Sequence, residues 1–186
     1  PEVLFALVES EWDDNRSVAA RLLKERIEWS SAGLEKLMGL LDSNRVDVQE
    51  LGQGLVKQHL GTIDPVLLVN RLTEHSHSEM RWFTMRMVED HLPNSAIALE
   101  GIRDFFQKGL LDTWPNRQTK TRMLEFLAGR GERDRGQAMV ALKILNTVLQ
   151  SKTQIDFELA LAAVTRLKLA HEDLPSNVTL MLEGSS

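Results

Sequence analysis

The sequence predicts an all-α fold of stacked helical hairpins, and three observations predict it. Apolar residues fall at helical spacing and hardly ever alternate as they would on a strand. The pattern of one helix recurs about 33 residues away with almost no letters in common. Short polar hinges that begin and end on a carboxylate separate the two helices of each pair.

Residues 48–60, VQELGQGLVKQHL, put Val48, Leu51, Leu55, Val56 and Leu60 on one face of a helix of 3.6 residues per turn. Residues 80–92, MRWFTMRMVEDHL, put Met80, Phe83, Met87, Val88 and Leu92 in the same slots. Val18, Leu22, Leu23 and Ile27 fit the template a third time, and Asn15 fails its first slot. The preceding helices repeat in step: Leu4, Leu7 and Val8, then Leu37, Leu40 and Leu41, then Val69, Leu72 and Thr73. The hinges are ESEWDD (9–14), DSNRVD (42–47) and EHSHSE (74–79). Each closing acid, Asp14, Asp47 or Glu79, starts a second helix, where it complements free amides and the helix dipole.

Asp64 is expected to cap a helix that opens on Pro65, and Ser95 to cap the one after Pro93. Beyond residue 95 the template loosens. A helix is expected over 98–111, a longer turn over 112–116 and a partner helix over 117–129. GRGERDRG (129–136) is expected to be a glycine-flanked charged loop, followed by helices over 136–150 and 156–170 that Pro175 closes off. The expectation is one domain over 1–175 with about five hairpins. Regular repeats cover about 3–27, 34–60 and 66–92, diverged hairpins about 96–129 and 136–172, and a tail 176–186.

Spacing outlives letters for a physical reason. A hairpin of about thirty residues cannot bury its own apolar face, and stacking on a neighbour hides it. Each slot then demands only an apolar side chain of suitable volume, which Leu, Met, Phe and Val all supply.

Lys plus Arg number 22 and Asp plus Glu 27, a net charge of −5 that weighs against a dedicated nucleic-acid or anionic-membrane binder. The absence of cysteine excludes disulfides, zinc-thiolate sites and thiol chemistry, and fits a cytoplasmic location. No apolar run approaches the eighteen or so residues needed to span a bilayer. The start, PEVLFALVESEW, lacks the basic opening of a signal peptide. Pro1 is not an initiator methionine, so the chain is expected to be a piece of a longer protein. EGSS at the far end reads as a frayed tail or an engineering scar.

The second helices begin Asp14-Asn15-Arg16-Ser17-Val18-Ala19, Asp47-Val48-Gln49-Glu50-Leu51-Gly52 and Glu79-Met80-Arg81-Trp82-Phe83-Thr84. This resembles the HEAT-repeat pattern, acidic-Val-Arg-x-x-Ala, over about residues 3–92. Asn15 in the apolar slot and Gln49 in place of arginine depart from it. The resemblance implies a right-handed α-solenoid of antiparallel hairpins, with the small residue (Ala19, Gly52 or Thr84) letting paired helices approach and the second helices lining a concave face.

Comparison between sister repeats singles out candidate contacts. Trp82 stands where Ser17 and Glu50 stand, and Met85 where Ala20 and Gln53 stand. With Arg81 they would form an apolar patch carrying a guanidinium, a composition favoured in binding hot spots. The alternative tucks Trp82 against a neighbouring repeat or the turn near Trp114. Trp12, mid-hinge where Arg45 and His77 are its counterparts, either meets a partner along the hinge edge or packs across an end. Arg16, Arg21, Lys24, Lys57, Arg81 and Arg86 would make a basic inner ridge beside an acidic hinge edge, although a solvated face explains the same charges. His75 and His77 lack convergent partners for a metal, and His59 and His91 suit helix C-termini. GRGERDRG lacks the strand and the Lys-Ser/Thr ending of a phosphate loop.

No catalytic pair stands out, and no cofactor or metal is expected. The expected role is a non-enzymatic protein-interaction scaffold, a segment of a larger assembly, that receives a protein or peptide segment of acidic character. Its contacts would be Trp82, Met85, Arg81, Arg86, Arg16, Arg21 and Trp12. Nucleic acid is the second candidate partner, since HEAT-like alkylpurine DNA glycosylases show that such a solenoid can act on DNA.

Overall fold

A computed structural model describes residues 2–26, 31–59, 61–74, 78–112, 117–150 and 154–175. Ile27, Leu60, His75, His77, Trp114 and the tail 176–186 lie outside the described residues, as does the side chain of Glu79. Among the described residues every regular element is helical. These are α1 (Glu2–Val8), α2 (Asp13–Arg26), α3 (Ser31–Leu41), α4 (Val46–His59), α5 (Pro65–Leu72), α6 (Ser78–His91), α7 (Ala96–Gly101), α8 (Arg103–Leu111), α9 (Arg117–Arg133), α10 (Arg135–Leu149) and α11 (Gln154–Ala170). None is long and apolar enough to cross a membrane. The chain forms two compact units, Pro1–Arg71 and Leu72–Ser186, that divide within α5.

In the first unit α1 packs on α2 and α3 on α4. First helices touch first helices: the Lys36 ammonium of α3 lies 5.7 Å from the Phe5 ring centre of α1, and Arg71 of α5 pairs with Glu35 of α3 at 2.9 Å. Second helices touch second helices: Gln58 of α4 donates to the Lys24 carbonyl of α2. Val48, Leu51, Leu55 and Val56 are buried, as their spacing requires. In α2 the side that leans on α1 carries Ala19 and Leu23 into the core, and Val18 stays 48% exposed.

The small-residue slot is buried in all three helices, at Ala19, Gly52 and Thr84. A Cβ on Gly52 would meet Leu41 Cδ2 at 3.0 Å and Leu40 Cβ at 3.2 Å, so α3 and α4 touch where that side chain is missing. Thr84 Oγ1 donates to the Met80 carbonyl, 2.8 Å away, and so buries its hydroxyl satisfied.

In the second unit Met80, Phe83, Met87, Val88 and Leu92 are all buried. α9 packs on both α6 and α11, and α10 packs across α7, α8, α9 and α11. The expected caps are present. Val66 N–H donates to Asp64 Oδ1 at 2.9 Å, and Ala98 N–H to Ser95 Oγ at 3.2 Å.

Two sequence expectations fail here. Residues 98–111 are not one helix. Ile102, fully buried at φ −113°, ψ 19°, ends α7 and opens α8, because its side chain is drawn into the core right after the weak helix former Gly101. GRGERDRG is not a loop either: α9 runs through it to Arg133, and the break is Asp134 alone. Asp134 caps α10 by accepting from Gln137 N–H at 2.8 Å. Gly131 is there for closeness and not for flexibility. A Cβ on it would stand 3.1 Å from the Ala138 Cα of α10 and would collide with the Leu167 methyl of α11.

Gly131→Ala should therefore destabilise the protein by about 1–3 kcal/mol through overpacking. Gly129→Ala, which meets nothing within 4 Å on the same helix, should be neutral or stabilising by up to about 1 kcal/mol. Urea unfolding of the two variants checks this, and equal effects would contradict the assignment.

Candidate functional site

The arginine slot of the second helices is largely used internally. Arg16 donates through Nη1 to the Ser10 and Glu11 carbonyls at 2.9 and 3.0 Å and through Nε to Asp47 at 3.0 Å, and it also pairs with Asp13. Its side chain keeps only 14% of its exposure. Gln49, the counterpart of Arg16, donates to the Ser43 carbonyl at 2.6 Å. Glutamine thus does the carbonyl half of the arginine's work, and the apparent departure at this slot is physically conservative. Arg81 pairs with Asp112 at 2.6 Å, 31 residues on, the separation that also joins Arg16 to Asp47. Asp112 was not singled out from the sequence, although it lies 33 residues after Glu79, as Asp47 lies 33 after Asp14.

These ties leave a shallow groove of about 440 Å³ beside Arg16, floored by Val8, Ala20, Val48 and Leu51. Nearby Trp12 is 74% exposed. Arg45 first, with Arg16 behind it, holds the Asp47 carboxyl below the usual carboxylate range. Arg21 and Arg86 are exposed.

Met85 overturns the patch expected around Trp82, because it is fully buried. Trp82, Met85 and Glu89 lie on one face of α6, and α9 covers that face. The Arg122 guanidinium of α9 lies 4.7 Å from the Trp82 ring centre, and its Nε bonds Glu89. Trp82 itself is half-buried and borders an open cleft of about 540 Å³ with Arg117, Gln118, Thr121, Arg122 and Glu125.

Further along α9 a second cleft, about 340 Å³, shares Glu125 and adds Phe126, Arg130 and Arg133. The Phe126 ring stacks on the fully buried Phe106 at 5.8 Å, so the core fixes its position. The Arg130 guanidinium lies 4.8 Å from the same ring and donates to the Leu92 and Pro93 carbonyls, both at 2.7 Å. Burial, and then the neighbouring Arg133, pull the Arg130 pKa down. Arg166 of α11 binds Glu132 and Glu125 at 2.7 Å each, which holds the Glu132 carboxyl below its ordinary range.

The comparison of sister repeats singled out Trp82 and none of the α9 residues that border the two clefts, Arg117, Arg122, Phe126, Arg130 and Arg133. Their signal was present, since α9 spaces two aromatic-bordering arginines eight residues apart. It lay in the diverged half, where no sister repeat served as a reference. Among the described residues no cluster of three or more His, Asp or Glu is placed to hold a metal. Set beside known proteins, the chain matches no family model, no curated protein and no solved structure.

A double-mutant cycle on Arg81 and Asp112, whose side chains are 23% and 31% exposed, should return a coupling of roughly 0.5–1 kcal/mol. A value near zero would remove the pair as a strut. The lowered folded-state pKa of Asp47 means that its contribution to stability is present above the unfolded carboxylate pKa and is lost as pH falls through the folded value. Asp47→Asn should flatten the acid limb of the stability–pH curve between about pH 4 and lower pH. An unchanged limb would show that Asp47 gains nothing from its arginines.

Proposed function

We propose that the chain is a non-enzymatic protein-interaction scaffold, a segment of a larger cytoplasmic assembly, built as a HEAT-like α-solenoid. The two kinds of tie support the solenoid reading: within each unit first helices meet first helices and second helices meet second helices. The buried small-residue slot and the Arg16–Asp47 and Arg81–Asp112 pairs fit the same reading.

The observation that carries the function is the surface between α6 and α9. Two aromatic rings, Trp82 and Phe126, each lie under a guanidinium at the edge of an open cleft. Rigid aromatic and arginine surface of this kind dominates protein recognition energetics. The nucleic-acid reading keeps the exposed Arg21, Lys24 and Arg86. It loses two members of the ridge, because Arg16 and Arg81 already face carboxylates.

Trp82→Ala should weaken retention of a protein partner by the immobilised chain about tenfold or more while leaving helical circular dichroism intact. Collapse of the helical signal would make Trp82 a core residue and end this assignment. Micromolar binding of duplex DNA that falls steeply with added salt would favour the nucleic-acid reading instead.

A further inference from the structure

Outside the ion-paired struts, the outer strip of α9 has an unbalanced charge. Its two adjoining clefts are lined by four arginines, Arg117, Arg122, Arg130 and Arg133, against two glutamates, Glu89 and Glu125. Both glutamates are already engaged, Glu89 by Arg122 and Glu125 by Arg166. Arg117 and Arg133 have no carboxylate within ion-pair distance among the described residues, and both are exposed. Arg130 is half-buried, donates to the carbonyl oxygens of Leu92 and Pro93 and lies over the Phe126 ring, with no carboxylate in ion-pair distance among the described residues. A guanidinium shielded from water with no counter-ion is costly, and an anion delivered from outside relieves that cost. A basic strip inside a chain of net charge −5 is a local feature and does not follow from the overall composition.

We infer that this strip is a docking groove for an acidic, extended protein segment that lays apolar side chains against Trp82 and Phe126 and carboxylates against Arg117, Arg130 and Arg133. This deepens the scaffold reading and rests on it. Arg117 and Arg133 are sixteen residues apart on one helix, about 24 Å along its axis and roughly 160° around it, so they mark the two edges of its exposed side. An extended chain covers that distance in about seven residues. The spacing suits carboxylates near both ends of the segment and a bulky apolar residue near its middle.

Carboxylate is favoured over a phosphodiester backbone by what lies between the arginines. Glu125 and Glu89 interrupt the strip, and a continuous run of phosphates would pass directly over them. Side-chain carboxylates on an extended segment point to alternate sides and avoid them.

The test uses a fluorescein-labelled nine-residue peptide with Asp or Glu at both ends and Phe at the centre, read by anisotropy on the whole chain. Its charge-reversed Lys version and labelled single- and double-stranded DNA are the comparison probes. The acidic peptide should bind, the Lys peptide should not, and the paired change Arg117→Glu with Arg133→Glu should weaken binding at least about tenfold. Both positions are exposed, so folding is preserved, which circular dichroism verifies. Lys108→Glu, exposed on α8 and lining neither cleft, should change nothing.

Absence of binding by the acidic peptide, or binding indifferent to Arg117→Glu with Arg133→Glu, overturns the inference. Tighter binding of DNA with the same arginine dependence overturns it in favour of a phosphate ligand. If a protein partner is still lost on Trp82→Ala but is indifferent to the arginine changes, the scaffold reading survives and the acidic occupant does not.

Discussion

Everything in both units depends on helices coming closer than ordinary side chains allow. A hairpin this short has one apolar face and nothing of its own to cover it, so it must be pressed against a neighbour. Ridges on one helix need vacancies on the next. Gly52 supplies one against Leu40 and Leu41, and Gly131 supplies another against Ala138 and Leu167. Ala19 and Thr84, both fully buried, fill the Gly52 slot in sister helices. The same requirement explains why letters drift elsewhere. Leu51 and Phe83 answer to volume and apolarity, whereas the contact slot answers to the absence of volume.

Close approach creates a second problem, the polar ends of short helices, and arginine and glutamine solve it. Arg16 and Gln49 reach back to hinge carbonyls at Ser10 and Ser43, and Arg130 reaches the carbonyls that close α6. Such carbonyls have no partner within their own helix, and a planar multi-donor group satisfies two of them at once. This is why a basic residue at a regular slot is poor evidence of a ligand in a helical array. Its donors are in demand inside the fold before any partner arrives.

The legible part of the fold was the part written in volume and caps. The buried face of α4 and α6, the caps at Asp64 and Ser95, and the smallness of positions 19, 52 and 84 all follow from single-residue chemistry. The illegible part depended on which face another helix would cover. Met85 looked exposed because Ala20 and Gln53 are its sisters, yet α9 lies over that side of α6 and buries it. Glycine was misread for a related reason. In GRGERDRG it looked like punctuation, but at Gly131 it makes room for Ala138 and Leu167, two side chains that local sequence does not announce. Of the candidate contacts, Trp82 stood out because its slot had polar sisters. The arginines of α9 have no sisters in register, and a reading based on comparison passed over them.

Counter-ion accounting separates arginines that have a carboxylate partner from those that have none. Arg16, Arg71, Arg81, Arg122, Arg135 and Arg166 each have a carboxylate, and their charge is spent within the fold. Among the described residues Arg117, Arg130 and Arg133 have no carboxylate within ion-pair distance, and they share one helix. A surplus needed only for solubility would do its work anywhere on the surface, and would do it better away from aromatic rings and half-closed clefts. Here it borders Trp82 and Phe126, the second held in place by Phe106 from the core. Rigid apolar area and positive charge unpaired by carboxylate in one strip carry a cost in desolvation and repulsion. The proposed acidic, partly apolar segment would relieve that cost by lying along the strip.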